Sequence, residues 1–333
     1  MSLRQGLTVL CSVGLIASTS HAVAVLDINQ AVSQIQADST LLSGWMTDQL
    51  KFAVPFNSTA GNVVPSQLKI FGFEAGIEGV ASGTHLDVPA LRSLPTSVVN
   101  TQQIDTFSRL PMPSALLHAK IGLPFGLDAG VRVGGIPKES FNNGSTHISV
   151  KNSIVGIDLR KKIIEEGAMK PFGLTVDANF TRASGSLDET SPYSSNGTAN
   201  VNGTTYDSTL SATGAGHSQW DTKSFGVQAI LDKQILFITP YIGASANRNF
   251  GSLSTDITTN GTETLTNPNN SFDTASQTFS TLGSGSSSPN KWDCRALAGV
   301  EFSILPFVRL GLQGEYAGNK NVAGALGLRI QFR

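Results

Sequence analysis

The pair with the most recognisable capacity for chemistry is His147 and Ser149, two residues apart in a stretch of alternating character. On an extended strand that spacing puts an imidazole and a hydroxyl on one face, the pairing in which a histidine base takes the proton of a serine nucleophile. A third, acidic group has to orient the histidine, and sequence reading finds no outward carboxylate at matching height on the neighbouring strands except Glu139, placed in a loop. A two-residue motif without its third member weighs less than the plainer reading, a polar rim at the end of a strand. An enzyme is therefore not the expectation, and His147 and Ser149 stand as weak catalytic candidates.

A larger set of ionisable residues falls at alternate positions among apolar ones: Glu74, Glu78, His118, Lys120, Asp128, Arg132, Asp158, Arg160, Asp177, Asp293, Arg295, Glu301, Arg309, Glu315 and Arg329. Both signs occur on adjacent segments. Such a mixture suits an ion-pair network filling a narrow interior better than an open aqueous channel. No metal or cofactor is expected: His85 and His217 sit in or beside loops without ligand spacing, and no nucleotide-binding glycine motif is present. Net charge is −1, with no basic tract, so nucleic acid is not an expected partner.

The elements that must hold these residues are read from composition and period. Charged residues make up 14% of the 333, against 34 glycines, a balance unlike that of soluble enzymes. Residues 1–22 read as a secretory signal, with Arg4 before an apolar stretch from Leu7 to Ala17 and Ser20-His21-Ala22 as cleavage site. Cleavage removes Cys11 and leaves Cys294 alone, so no intramolecular disulfide is expected. Residues 23–64 form a helical segment, expected as two short amphipathic helices: Ile28, Ala31, Val32 and Ile35 share one spacing, Leu41, Leu42, Trp45, Met46 and Leu50 a second, with Asp38 or Ser39 as cap between them. Whether that segment plugs a lumen or packs beneath it on the periplasmic side stays open.

Residues 65–333 alternate with period two. In the last segment Val322, Leu326, Leu328, Ile330 and Phe332 share one face, and Arg329, Gln331 and Arg333 with Ala323, Ala325 and Gly327 share the other. This is the signature of a strand with lipid on one side and a crowded polar interior on the other. Strands are expected near 67–81, 113–123, 126–136, 147–160, 172–186, 219–232, 235–252, 291–304, 307–317 and 320–332. The fold class is all-β: a transmembrane antiparallel up-and-down β-barrel of about ten strands, twelve being the alternative, after a short N-terminal helical segment. The connections then alternate between short and long, as short periplasmic turns and long external loops should. Segments 188–216 and 253–290 are Ser, Thr, Asn and Gly tracts, expected as solvated surface loops with hairpin extensions as an option. A proline-aromatic pair recurs at or near the short turns, so Phe125, Phe172, Tyr241 and Phe307, with the terminal Phe332, are expected at the membrane interface.

The run from Leu110-Pro111-Met112-Pro113 through His118-Ala119-Lys120-Ile121-Gly122-Leu123-Pro124-Phe125-Gly126-Leu127 to Arg132 and Ile136-Pro137 resembles a family of uncharacterised bacterial outer-membrane barrels known as a domain of unknown function. The resemblance implies the fold and carries no activity. His147-Ile148-Ser149 is similar to the His-x-Ser arrangement of lipid A 3-O-deacylases, which would make Ser149 a nucleophile and His147 its base. The expected setting is the outer membrane of a Gram-negative envelope, reached by the general secretory pathway. Outer-membrane lipid, lipopolysaccharide and the barrel-assembly machinery are the expected partners. A porin-like small-solute pore, or a transport-related or structural envelope role, is the first functional expectation. Surface binding or adhesion through long loops is the alternative, and lipid hydrolysis the third.

Overall fold

The computed structural model describes residues 28–61, 68–96, 109–143, 145–167, 170–201 and 203–332. The expected signal, residues 23–27 and 62–64, and Arg333 lie outside the described residues. The elements are α1 (Ile28–Thr59), β1 (Phe73–His85), α2 (Val88–Arg92), β2 (Arg109–Leu123), β3 (Leu127–Asn143), β4 (Thr146–Ile164), β5 (Gly173–Val201), β6 (Thr204–Asp232), β7 (Ile238–Asn267), β8 (Asn270–Ser287), β9 (Trp292–Leu305), β10 (Val308–Ala317) and β11 (Asn321–Phe332).

The strands form one antiparallel sheet in which sequence neighbours pair, β6 pairs with β7, and β1 pairs with β11, so the sheet closes on itself. Eleven strands fill ten places in the ring. The outer part of β7 pairs with β8 down to Leu253↔Ser287, and its inner part pairs with β9 from Arg248↔Trp292, so β8 and β9 are one strand line broken at 288–291. Closure leaves the ring itself without an edge.

The two faces of the wall carry the reverse of a soluble protein's pattern. Ile77, Leu117, Val133, Ile157, Leu326 and Ile330 are about half exposed on the outside, while Glu74, Asp128, Arg160, Glu301 and Arg329 are buried inside. An apolar belt of this size is stable only where lipid covers it, and the period-two alternation that builds it follows from successive side chains pointing to opposite faces of a strand. No helix among the described residues is long and apolar enough to cross a membrane.

One end of the ring has short turns and the other has long hairpins. At the turn end, Pro124–Gly126 joins β2 to β3 in a single tight turn, with Phe125 at φ +64 and 87% exposed. Phe172 and Phe307 are also outward there, and Phe332 stacks on Phe73 and Phe307 with ring centroids 5.9 and 6.4 Å apart. Tyr241 departs from this pattern. It is buried in the lumen, because the turn before β7 falls at 233–237, closed by the Ile235↔Ile238 bridge, and Pro240-Tyr241 already lies within the strand. Its ring occupies the space over Gly299, opposite it on β9, and its hydroxyl donates to Gln313 Oε1 at 3.1 Å.

At the hairpin end the segments expected as loops are strands. β5 and β6 pair without a break from Gly173↔Asp232 to Val201↔Thr204, and β6, β7 and β8 continue in register beside them. Thr is frequent in these tracts and favours the extended backbone. Gly203, at φ +84, supplies the left-handed residue that a tight hairpin turn demands. The result is a four-stranded blade standing beyond the ring. Strand β3 likewise continues to Asn143, so Glu139 is a strand residue opposite Val150 and not a loop residue.

α1 is one continuous helix where two were expected. Neither Gly nor Pro interrupts the chain between Ile35 and Leu41, and Asp38 and Ser39, instead of capping, are buried inside the helix. Ser43 and Thr47 donate to the carbonyls of Ser39 and Ser43, four residues back, at 2.7 and 2.8 Å, which satisfies their hydroxyls without ending the helix.

Candidate functional site

Two regions could carry function: the interior, and the outer wall where the blade leaves the ring. The interior is filled by different means along its length. Toward the hairpin end α1 occupies it, with its N-terminal half against the inner face of β8. Gly283 and Gly285 allow the approach: a side chain at either would collide with the helix at Ser39–Thr40 or Ser43–Gly44. The Gly283 carbonyl, 3.0 Å from Ser43 Oγ, is a second acceptor for the same hydroxyl hydrogen that Ser39 O takes at 2.7 Å. Leu42, Trp45, Leu50 and Val54 pack with Leu86, Leu91, Leu110, Ile148, Leu187, Trp220, Leu253 and Ile257 in one apolar cluster. Trp45 Nε1 donates to the Asp87 carbonyl at 2.9 Å, and Asp87 caps the one-turn α2 by accepting from Ala90 N–H.

The C-terminal end of α1 stops near mid-barrel. A helix end leaves carbonyls unpaired and carries partial negative charge, and the last turn of α1 has no basic residue of its own. The wall supplies two. Arg132 donates to the carbonyls of Ser58 and Ala60 (2.9 and 3.4 Å) and to Thr181 Oγ1 (2.7 Å). Arg295 donates to Phe56 O (3.5 Å), Thr59 Oγ1 (2.5 Å) and Glu315 (2.8 Å), lies over the Phe56 ring, and also pairs with Asp293. Glu315 in turn accepts from Gly61 N–H at 2.7 Å.

Below that point charges fill the lumen. Arg329 joins Glu301 (2.7 Å) to Glu74 (3.5 Å), Arg309 reaches Glu301 at 3.7 Å, and His118 faces Glu74 at 3.5 Å. Asp128 pairs with Arg160 (3.1 Å) and Asp158 with Lys120 (3.4 Å). Asp177 accepts from Asn179 and Gln228 at 3.1 and 3.2 Å. Glu78 lies beside Gly61, within reach of the same cluster. All the inward-facing candidates named from sequence thus meet in one interior. Among the described residues, small cavities of about 20 and 30 Å³ sit beside Arg329 and beside Trp220, room for a water or two.

On the outer wall, His147 and Ser149 share a face, but His147 Nδ1 is hydrogen-bonded to Asn142 Oδ1 (2.8 Å), and no hydrogen bond among the described residues joins it to Ser149. An outward acid does stand opposite Ser149, which sequence reading missed because its segment was taken for a loop: Asp188, on β5. Its partner is His217 of β6, at 2.5 Å. The register therefore runs Ser149, Asp188, His217, Asp256 across four strands. A proton relay to serine needs the histidine in the middle, and here the acid stands between. No cluster of His, Cys, Asp and Glu among the described residues could hold a metal ion, and Cys294 lies exposed on the outer face. Far out on the blade, the Tyr206 hydroxyl donates to Asp273 at 3.0 Å, and that bond to a carboxylate raises the phenol above its ordinary range.

A closed ring with an apolar outer belt, a polar filled interior and unequal ends defines a membrane-spanning β-barrel of the outer-membrane type. The chain belongs to the family of unknown function DUF6588, whose model matches residues 102–332. No curated protein matches it in sequence. Among solved structures it is similar to the outer membrane protease OmpT of Escherichia coli (7% identity, 83% of this chain and 100% of that one, TM-score 0.40). It is also similar to the translocator domain of the autotransporter NalP of Neisseria meningitidis (9% identity, 84% and 92%, TM-score 0.30) and to the outer membrane protein Omp33 of Acinetobacter baumannii (9% identity, 79% and 98%, TM-score 0.28).

Proposed function

We propose that this protein is an outer-membrane surface binder: a filled barrel that anchors a rigid polar blade outside the cell. The observation that carries this reading is the continuation of β5 to β8 as regular strands. A membrane crossing takes about 9–11 residues, whereas β5 and β6 run 29 residues each and β7 runs 30. From the outermost apolar ring position, Phe180, to Val201 the strand extends on the order of 60–70 Å at about 3.3 Å per residue. Such a sheet on a rigid scaffold is where binding residues belong, and among the described residues α1 and the ion pairs occupy the lumen, which favours an anchor over a channel.

The test is attachment. Cells expressing the full chain, and cells in which 190–215 and 258–281 are each replaced by a two-residue Asn-Gly turn, are compared on immobilised glycans, matrix proteins and sister cells. Loss of attachment in the trimmed, still folded protein supports the reading; equal attachment overturns it.

A gated pore is the second reading, favoured by the lining of the lumen below Gly61, where charges of both signs face inward. In a Cys294→Ser background, Asn57→Cys with Ser82→Cys, whose side chains already meet at 2.9 Å, locks α1 to β1. Conductance in planar bilayers only after reduction would favour the pore, and silence in both states would favour the anchored blade.

A further inference from the structure

Cross-strand register divides the outer wall of β4 to β7 into rows. Ile157, Phe180, Phe225 and Arg248 make one row; Val155, Arg182, Lys223 and Phe250 the next toward the blade; then Ser153, Ser184, Asp221 and Ser252; then Lys151, Ser186, Gln219 and Ser254. The apolar belt ends in the second row, and cations stand at its edge. Arg248, one row inside that edge, lies over Phe250 and Trp292, 5.2 and 5.7 Å from the ring centroids.

Immediately beyond that edge the wall is hollowed. A cavity of about 540 Å³ lies on the outer side, bordered by Lys151, Ser184, Ser186, Gln219, Asp221 and Ser254. Its floor is the backbone at Gly185, whose missing side chain would point inward, where Trp220 packs against it from within. The acids around it are already engaged: Asp221 by Arg182 through two bonds of 3.0 and 2.7 Å, Asp188 by His217. Lys151 and Lys223 make no ion pair among the described residues.

The vertical order is thus apolar rings, Lys223 at their edge beside the paired Arg182, then a hydroxyl-lined hollow with Lys151 on its far side. An amphiphile with acyl chains and a phosphorylated sugar fits that order, chains on the rings, sugar in the hollow and phosphate within reach of a lysine on either side. We propose that this hollow binds the phosphorylated sugar headgroup of a glycolipid from the surrounding leaflet, with phosphate on Lys223 and Lys151, sugar against Ser184, Ser186, Gln219 and Ser254, and chains on Phe180, Phe225 and Phe250. Phosphate oxygens take charge-assisted bonds from ammonium groups, and sugar hydroxyls exchange bonds with serine and amide groups. The site is independent of whatever the blade binds, so either proposal can fail alone.

Native mass spectrometry of the full chain in detergent micelles tests it, with rough-type lipopolysaccharide as probe. Its dephosphorylated form, its deacylated form and phosphatidylglycerol serve as comparisons. Two variants separate charge from shape: Lys151→Ser with Lys223→Ser removes both cations, and Ser186→Trp fills the hollow without touching a charge. Both alter outward positions, so heat-modifiable migration on gels verifies folding. The expected result is one tightly held lipopolysaccharide per chain, with binding weakened about tenfold or more in each variant and for the dephosphorylated probe. Unchanged affinity in the folded variants overturns the proposal. So does equal binding of phosphatidylglycerol, which would mean chain contact alone, or of the deacylated probe, which would mean a free sugar phosphate as ligand.

Discussion

The two halves of the lumen are filled by opposite chemistry. Toward the turn end, Glu74, Glu301, Arg309 and Arg329 and the pairs Asp128–Arg160 and Lys120–Asp158 fill it with charge. Toward the hairpin end, Leu42, Trp45, Leu50 and Val54 of α1 fill it with apolar surface. The charged half is part of the wall and cannot leave it. The apolar half is a separate element held by packing, by a glycine track and by two arginines at its end. Stability of the ring and occupancy of the lumen are therefore separable properties, and substitutions should divide along that line.

The largest effect is expected where the halves meet. Arg295→Leu removes the partner of Glu315 and Asp293 and one of the two caps of α1, and should cost at least the 3–5 kcal/mol, roughly, of a broken buried pair. Urea unfolding in micelles should show the ring's midpoint falling together with release of α1. Arg329→Leu, confined to the charged half, should cost about 3–5 kcal/mol and lower the ring's midpoint while α1 keeps its resistance to protease. Trp45→Ala should do the converse. About 3 kcal/mol or more of packing is lost, read as faster cleavage within α1 in a barrel that still migrates as folded.

Gly283→Leu brings a side chain into Ser39 and Thr40, and overpacking of this kind costs about 1–3 kcal/mol. Deuterium exchange should rise in the first half of α1 and stay unchanged past Phe56. Smallest is Ser149→Ala. With its histidine held by Asn142, the change should stay within about 0.5 kcal/mol, and mass spectra of the cell's lipid A should not alter; an altered acylation pattern would restore the hydrolytic reading.

The lower half was legible in the sequence because its cause is local. Period-two alternation places Arg309, Glu315 and Arg329 on the same side as Gly327 and Ala325, whatever the neighbours are. What could not be read depends on register between segments far apart. Asp188 meets His217 only because β5 and β6 stay paired without a slip from the hairpin turn inward, and a Ser/Thr/Asn/Gly tract gives the same composition whether it folds as a loop or a blade. Arg132 and Arg295 were visible as inward charges, but nothing local shows that their partners are the carbonyls of a helix more than seventy residues away in the chain. Tyr241 was misplaced for a related reason: the proline-aromatic pair marks a turn at Pro124 and Pro306, yet before β7 the turn comes several residues earlier, and only the pairing of Tyr241 with Gly299 reveals it.

The route of α1 has a consequence for how the helix can leave the barrel. Its N-terminal half lies at the hairpin end and its C-terminal end at mid-barrel, while the seam between β1 and β11, which joins the first strand to the last, runs from Phe73↔Phe332 to Gly83↔Val322. A rod inside a closed hoop can be withdrawn only along its axis. With the seam closed, the only route left to α1 is lengthwise, so any release of the helix is a sliding motion along the inner face of the wall and any sideways escape requires the seam to part.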